Sequence, residues 1–176
     1  NPISTLNKKT VKVPDSGTPF HAVFIGRVLL DDQKNVRMLL KTMARLNIPW
    51  QLDIFGKGAD LLKAKQLAAA LQVSQNIKWH GWVSDPWQFI TEADCLLLCS
   101  KYEGFPMVLI EAISYGLPVI STDCPTGPAD IINPQNGILT PLNDEPAFAA
   151  ACQKLYSNRT KYVRTRVQKT VWQFDI

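Results

Sequence analysis

Two glutamates, Glu103 and Glu111, carry the sharpest chemical signal in the sequence. They lie eight residues apart in the segment EGFPMVLIE, with Glu103 just after a predicted strand and Glu111 about one turn into the helix that begins near Pro106. Carboxylates accept hydrogen bonds from hydroxyl groups, and the start of a helix attracts anions. The segment therefore predicts a site where Glu103 accepts hydroxyls of a sugar and Glu111 those of a ribose. The alternative is a helix-capping glutamate beside a solvated one.

Glycines and cations follow the first two predicted strands. Gly26-Arg27 follows the first strand, with Lys34 downstream, and Gly56-Lys57-Gly58 follows the second. Glycine lets a backbone approach a ligand closely, while Arg grips phosphate with a planar fork and Lys acts as a point charge. Arg27 and Lys34 are therefore candidate ligands of a diphosphate. Taken singly, such glycine turns are also ordinary features of a parallel α/β domain.

Short apolar runs alternate with helical patterns from residue 21 to about residue 160. Strands are predicted at 21–25, 51–55, 77–79, 95–99, 119–122 and 138–140, and helices at 36–46, 61–71, 86–93, 108–115, 128–132 and 145–156. This alternation implies right-handed crossovers and a parallel sheet. The predicted fold class is α/β, a Rossmann-like three-layer domain of about six parallel strands with helices on both faces. Ligands of such sheets bind at the carboxyl ends of the strands, where the glutamates and cations are expected to meet.

These motifs, in this order, resemble the donor site of family-four retaining glycosyltransferases, which have two Rossmann-like domains in the GT-B architecture. The likeness extends from about residue 20 to residue 160. Besides the glutamate segment and the Arg27 and Lys34 pair, it rests on IFGKG at 54–58, HGWV at 80–83, DCPTGPAD at 123–130 and NG at 136–137. The strings WHGW at 79–82 and GPADII at 127–132 are most similar to those of bacterial lipopolysaccharide core galactosyltransferases.

The resemblance implies a role for each candidate residue. Arg27 and Lys34 would hold the donor diphosphate and stabilise it as a leaving group, and Glu103 would bind the transferred sugar. These three are the implied catalytic residues. The implied donor-binding residues, which approach the phosphates, sugar, ribose and base, are Gly26, Val83, Asp85, Gly104, Phe105, Pro106, Val108 and Glu111. The family usually has Gly after the lysine, whereas this chain has Asn35.

No cofactor and no metal are expected beside the nucleotide-sugar donor. The resemblance implies UDP-galactose or UDP-glucose as that donor, and these residues do not distinguish the two sugars. Arg27 and Lys34 would supply the positive charge that a metal ion supplies elsewhere. The pair Asp31-Asp32 lacks the middle residue of the metal-binding Asp-x-Asp pattern. We interpret it as a solvated turn, with a metal site as the alternative.

The resemblance also predicts how the chain is organised. Residues 1–20 would be an interdomain linker, residues 21–160 the nucleotide-sugar-binding domain, and residues 161–176 a truncated helical tail. The expected partners are a UDP-sugar, the missing N-terminal acceptor domain of the same chain and a lipid-linked glycan acceptor, so that this half alone would be inactive. Two alternatives stay open: a nucleotide-sugar epimerase of the same architecture, which would need catalytic acids and a histidine at the cleft, and a non-catalytic nucleotide-binding module.

Composition and charge argue against several other classes of protein. The chain has 176 residues and a net charge of +4, which falls short of the dense basic clustering of nucleic-acid-binding proteins. Its apolar runs are much shorter than the ~20 residues that span a bilayer. Four cysteines without CxxC spacing favour free thiols and a cytoplasmic location. The five cations between Arg159 and Lys169 predict a solvated helix face, with contact to anionic headgroups at the inner membrane as the alternative.

Overall fold

A single parallel sheet forms the centre of the molecule. The structure, a computed structural model, describes residues 9–174. The six strands are β1 Phe20–Ile25, β2 Trp50–Phe55, β3 Ile77–Gly81, β4 Cys95–Leu98, β5 Val119–Thr122 and β6 Gly137–Thr140, in the order β3-β2-β1-β4-β5-β6. The order reverses between β1 and β4, so the loops that follow these two strands lead away in opposite directions and leave a crevice.

The helices form two groups around this sheet. They are α1 Val36–Ala44, α2 Leu61–Ala70, α3 Met107–Ser114, α4 Pro128–Ile131, α5 Glu145–Ser157 and α6 Arg164–Lys169, with 3-10 turns at Ser74–Asn76, Pro86–Gln88, Arg159–Lys161 and Trp172–Phe174. Helix α1 packs with α2 and α5, whereas α3 packs with α4 and α6. Right-handed crossovers that run in opposite directions from β1 and β4 place these groups on opposite faces. The predicted Rossmann-like α/β class is confirmed.

The predicted helix over 86–93 is wrong beyond its first turn. Asp85 caps the turn by accepting a hydrogen bond from the Trp87 N–H at 3.1 Å. Further on, the backbone of Thr91 and Ala93 bonds to Lys12 of the N-terminal segment instead of continuing a helix. After the turn at Pro86–Gln88, the crossover from β3 to β4 is therefore irregular and is held by the N-terminal segment.

The core is formed by the central strands and the helix faces that cover them. All four residues of β4 and all four of β5 are buried, as the continuous apolar run in β4 predicts for a strand covered on both faces. The four cysteines are free and buried, and burial raises the pKa of the Cys95 and Cys99 thiols well above its usual value. These thiols therefore stay protonated and act as small apolar side chains.

Two arginines that follow α5 connect the C-terminal chain to the N-terminal segment and to the residues before β4: Arg159 is largely buried and Arg164 is buried. Arg159 donates to the Asp94 carboxylate at 2.9 Å and to the Asp15 carbonyl at 2.6 Å, and Arg164 donates to the Ala93 carbonyl at 2.6 Å. Burial lowers the pKa of Arg164 to about 10. The prediction of a solvated cationic face is therefore wrong for these two residues.

The remaining tail cations, Lys161, Arg166 and Lys169, are exposed. Where the structure describes it, the N-terminal segment interpreted as a linker packs against the domain: Val11 is buried and its N–H bonds to the Tyr115 carbonyl. Among residues 9–174, no helix combines the length and the apolar character that crossing a membrane requires.

We expect Asp94→Ala to lower the free energy of unfolding by about 3 kcal/mol, because it leaves the buried Arg159 guanidinium without its counter-charge. Urea unfolding measures this loss. Asp15→Ala, at an exposed position, is the control and should stay within about 0.5 kcal/mol of the native chain. Equal losses in the two variants would show that the Arg159 pair does not hold the segments together.

Candidate functional site

Three loops meet at the carboxyl edge of the sheet, on both sides of the crevice. The loop after β1 contacts the loop after β4, because the Lys101 N–H donates to the Gln33 carbonyl at 2.9 Å and the Tyr102 hydroxyl donates to Asp32 at 3.0 Å. The loop after β5 joins them through the Thr126 hydroxyl, which donates to the Glu103 carbonyl. The predicted convergence of glycines, cations and carboxylates therefore has a direct hydrogen-bonded framework.

Lys34 and Glu103 form an ion pair at the centre of this framework. The Lys34 ammonium lies 2.6 Å from Glu103 Oε1, which also accepts the Ser100 hydroxyl at 2.5 Å. Both side chains are largely buried, and Glu103 is only 8% exposed. An ammonium has three N–H donors, so Lys34 can hold Glu103 and still offer two donors to an anion.

Arg27 lies at the exposed rim of the same loop. Its guanidinium donates to the Gln33 side-chain oxygen at 2.6 Å. The Gln33 amide nitrogen in turn faces Glu103 Oε2 at 3.5 Å, which is a weak contact. Lys34 pairs directly with Glu103, and Gln33 connects Arg27 to Glu103. The three predicted catalytic residues are therefore joined in one network of contacts.

Asn35 has the backbone conformation that accounts for the departure from the family pattern. Its φ of 48° and ψ of 48° lie in the left-handed region, at the residue that precedes α1. Glycine adopts this region without strain, and Asn is one of the few other residues that tolerate it. The turn after Lys34 is therefore kept with Asn in place of Gly.

The loop that leads into α3 contains backbone N–H groups that no described protein acceptor satisfies. Within the described chain, the N–H groups of Gly104, Phe105 and Val108 donate to no protein acceptor. Pro106, which has no N–H, directly precedes α3. A Cβ on Gly104 would meet nothing within 4 Å, so the fold itself does not require glycine there. These donors and the open approach at Gly104 suit an anion at the helix start.

The loop after β5 fixes the position of Pro106. Gly127 has a φ of 103°, and a Cβ on it would collide with the Pro106 ring. Glycine is therefore required at 127 both by its backbone conformation and by this close contact.

A cleft of about 500 Å³ opens beside Arg27, between the ends of β1, β2 and β3. Its lining is mostly apolar and consists of Ile25, Gly26, Arg27, Phe55, Gly56, Lys57, Gly58, Trp82, Val83 and Pro86. The Lys57 ammonium lies 5.8 Å from the centre of the Trp82 ring. A slot of this kind suits a flat aromatic group that is linked to a charged one.

Sequence reasoning named Gly26, Arg27 and Val83 as residues of this site. It assigned no role to five other lining side chains, although the motifs IFGKG and HGWV contain three of them: Ile25, Phe55, Lys57, Trp82 and Pro86. Ile25 ends β1, and the other four lie at or after the ends of β2 and β3. The sheet order, which the sequence does not give directly, brings them beside Arg27. Their positions at strand ends are visible in the sequence, but which strand ends are neighbours is not.

Gly56 shapes the floor of this cleft. Its φ is 149°, and any Cβ would collide with the carbonyl oxygen of Gly26. The turn after β2 therefore touches the turn after β1, which keeps Lys57 and Arg27 on neighbouring rims.

The predicted ribose and base ligands have local partners. Glu111 accepts a hydrogen bond from the Trp87 indole N–H at 3.3 Å, and Trp87 stacks on Tyr115 with a 4.7 Å centroid distance. The Asp85 carboxylate accepts hydrogen bonds from Trp87 and Gln88, each at 3.1 Å. Asp85 thus stabilises the turn after Val83. Val108 is partly buried and packs against the core.

Both histidines bond to one carboxylate inside the sheet. The ring nitrogens of His21 and His80 are 2.5 Å and 2.6 Å from the two oxygens of Asp53, in the middle of β2. Burial opposes ionisation of Asp53, but the hydrogen bonds of the two imidazoles outweigh it and lower the pKa of the carboxyl group. His80 also stacks on Phe55 at 4.1 Å.

In residues 9–174, no group of three or more His, Cys, Asp or Glu side chains has the arrangement of a metal site.

Comparison with known proteins agrees with this geometry. The family model described as "Glycosyl transferases group 1" matches residues 7–170. The chain is 39% identical over 179 aligned residues to the lipopolysaccharide 1,6-galactosyltransferase of Salmonella typhimurium, covering 99% of this chain and 50% of that protein. The chain thus spans about half the length of this curated relative.

Two solved structures show the same architecture. The chain is similar to the lipopolysaccharide outer core galactosyltransferase WaaB in its apo form, with a TM-score of 0.94, 37% identity, and coverage of 99% of this chain and 50% of that one. It is also similar to the pneumococcal O-GlcNAc transferase GtfA in complex with UDP and GlcNAc, with a TM-score of 0.76 and 26% identity, covering 94% of this chain and 35% of that one.

We expect Asn35→Ala to lower the free energy of unfolding by about 1–2 kcal/mol, because alanine is strained in the left-handed region. Asn35→Gly should leave the free energy of unfolding nearly unchanged, and urea unfolding of both variants measures the difference. If glycine destabilises as much as alanine, the Asn35 side chain, whose amide lies 3.6 Å from the Met38 sulfur, matters more than the backbone conformation.

Proposed function

The chain belongs to the Glycosyl transferases group 1 family, and from this premise we propose that it is the nucleotide-sugar-binding half of a retaining glycosyltransferase. The donor is UDP-galactose or UDP-glucose, and the whole enzyme extends a lipopolysaccharide core or a related surface glycan. One observation carries the proposal: two features lie side by side. They are an apolar cleft of about 500 Å³ and the cluster of Arg27, Lys34 and Glu103 near the start of α3.

The cleft and the cluster divide the donor between them. The base enters the slot lined by Phe55, Trp82 and Val83, and the diphosphate lies over Arg27 and Lys34. The sugar then lies next to Glu103 and the free N–H groups of Gly104 and Phe105. Glu111 gives up the hydrogen bond that it accepts from Trp87 and accepts hydrogen bonds from the ribose diol instead. The UDP named in the description of GtfA supports a uridine nucleotide.

Catalysis follows from the way charge develops during transfer. When the bond between the sugar carbon and the diphosphate oxygen breaks, the sugar becomes more positive and the departing phosphate more negative. Fixed cations and N–H donors stabilise that phosphate more strongly in the transition state than in the ground state. Arg27, the two remaining donors of Lys34 and the amides before α3 supply this stabilisation. These groups hold the leaving diphosphate without a metal ion.

Glu103 binds the sugar rather than attacking it. Its Oε1 atom is already engaged by Lys34 and Ser100, and the side chain is buried. A carboxylate held in this way is a poor nucleophile but a well-positioned acceptor for a sugar hydroxyl.

The absent half supplies the acceptor site. An acceptor domain across the crevice would exclude water and bring a lipid-linked glycan to the sugar carbon. This chain alone should bind the donor without transferring it. The proposed location is the cytoplasm, at the face of the inner membrane where the lipid-linked acceptor is held.

The epimerase alternative has less support. It needs a histidine at the cleft as an acid or base, whereas His21 and His80 both bond to Asp53 in the middle of the sheet. The glycosyltransferase proposal uses the groups that do line the crevice.

Calorimetric titration tests the donor class. We expect UDP, UDP-galactose and UDP-glucose to bind more tightly than GDP, because GtfA, to which this chain is similar, is described in complex with UDP. Affinity should be the same with and without EDTA, since the Arg27 charge, the remaining N–H donors of Lys34 and the free amides before α3 hold the diphosphate. Equal binding of GDP would contradict the base assignment, and a loss of UDP affinity on chelation that magnesium restores would contradict the metal-free site.

We expect Arg27→Lys to weaken UDP binding about tenfold and to leave uridine binding unchanged, because lysine lacks the fork that grips phosphate oxygens. Titrations of UDP and uridine against both proteins measure this. Arg45→Lys is the matched control, because Arg45 is exposed and pairs with Glu145 at 3.1 Å, outside the three crevice loops. An unchanged UDP affinity in Arg27→Lys would refute the phosphate role.

A further inference from the structure

Gln33 occupies a fixed place between the two charged loops. Its carbonyl oxygen accepts the Lys101 N–H at 2.9 Å, and its own N–H donates to the Asp32 carboxylate at 2.7 Å. The backbone of Gln33 is therefore held by the loop after β4 and by its own neighbour. The side chain projects from this held backbone toward Arg27 and Glu103.

The side-chain amide of Gln33 matches the charges on its two sides. Its oxygen accepts from the Arg27 guanidinium at 2.6 Å, and its nitrogen faces Glu103 Oε2 at 3.5 Å. An amide is neutral and has an acceptor at one end and donors at the other, so it suits a cation on one side and an anion on the other.

Arg27 depends on this contact for its position. It lies at the rim of the cleft, and in the described part of the chain Gln33 is the side chain to which its guanidinium donates. A long side chain that is already held loses less conformational entropy when it binds a ligand. An acceptor without charge also leaves the full charge of Arg27 for phosphate.

We infer that Gln33 is a positioning residue of the diphosphate site: it holds the Arg27 guanidinium toward the phosphates without neutralising it. The inference rests on the proposed function, and it adds a residue whose side chain need not touch the donor. It predicts two separate effects, one from removing the amide and one from giving it a negative charge.

The test is calorimetric titration of UDP and uridine against a set of variants. Gln33→Met keeps the length of the side chain and removes both polar atoms, and we expect it to weaken UDP binding about two- to tenfold, as for the ordering of one long side chain. Gln33→Glu should weaken UDP binding more, because a carboxylate neutralises Arg27 and repels phosphate. Uridine binding should stay unchanged in both variants, and Gln66→Met, at an exposed position of α2, is the matched control.

A double-mutant cycle separates positioning from direct contact. If Gln33 acts through Arg27, then adding Gln33→Met to Arg27→Ala should change UDP affinity less than twofold. A full additional loss in the Arg27→Ala background would overturn the inference and leave the proposed function intact. An unchanged UDP affinity in Arg27→Ala would overturn both. A loss of uridine binding in Gln33→Met would also overturn the inference, since it would show a general disturbance of the site.

Discussion

The ion pair between Lys34 and Glu103 joins the two halves of the sheet at the place where the strand order reverses. Lys34 follows β1 and Glu103 follows β4, so one 2.6 Å contact bridges the crevice. A buried pair must offset the loss of hydration of both charges, and it does so only when further hydrogen bonds satisfy the remaining atoms. Ser100 supplies the strongest of these to Glu103. The loop before α3, with its unused N–H groups, is set by this arrangement.

Close backbone contacts set the other wall of the crevice. Gly56 abuts the Gly26 carbonyl, and a Cβ on Gly58 would collide with the backbone of Val28, so the turns after β1 and β2 lie in direct contact. Because these two turns touch, the side chains that they carry at the rim of the cleft lie next to one another. The ion pair and these glycines thus act on opposite sides of Arg27, which shares a loop with Lys34 and a cleft wall with Lys57.

The sequence predicts the elements well because their signals are local. The pattern of apolar runs predicts the ends of the strands to within one or two residues. The turn at residue 35 keeps its left-handed backbone conformation although Asn replaces the usual Gly. The segment 86–93 fails because Lys12, distant in sequence, takes its backbone hydrogen bonds. Arg159 and Arg164 look like surface charges for the same reason: their partners, Asp94 and Ala93, become neighbours only in the fold.

Some charges of the site are paired and others are not. This difference would allow two carboxylates to lie near the proposed diphosphate. Glu103 is compensated by Lys34, so it need not repel a nearby phosphate as a bare charge would. Glu111 lies a turn inside α3 and is engaged by Trp87. At the cleft, Arg27 meets a neutral amide and Lys57 meets the face of Trp82, so neither cation is neutralised. The uncompensated positive charge therefore lies beside the apolar slot. In the proposed complex, the base would enter the slot and the phosphates would lie beside this charge.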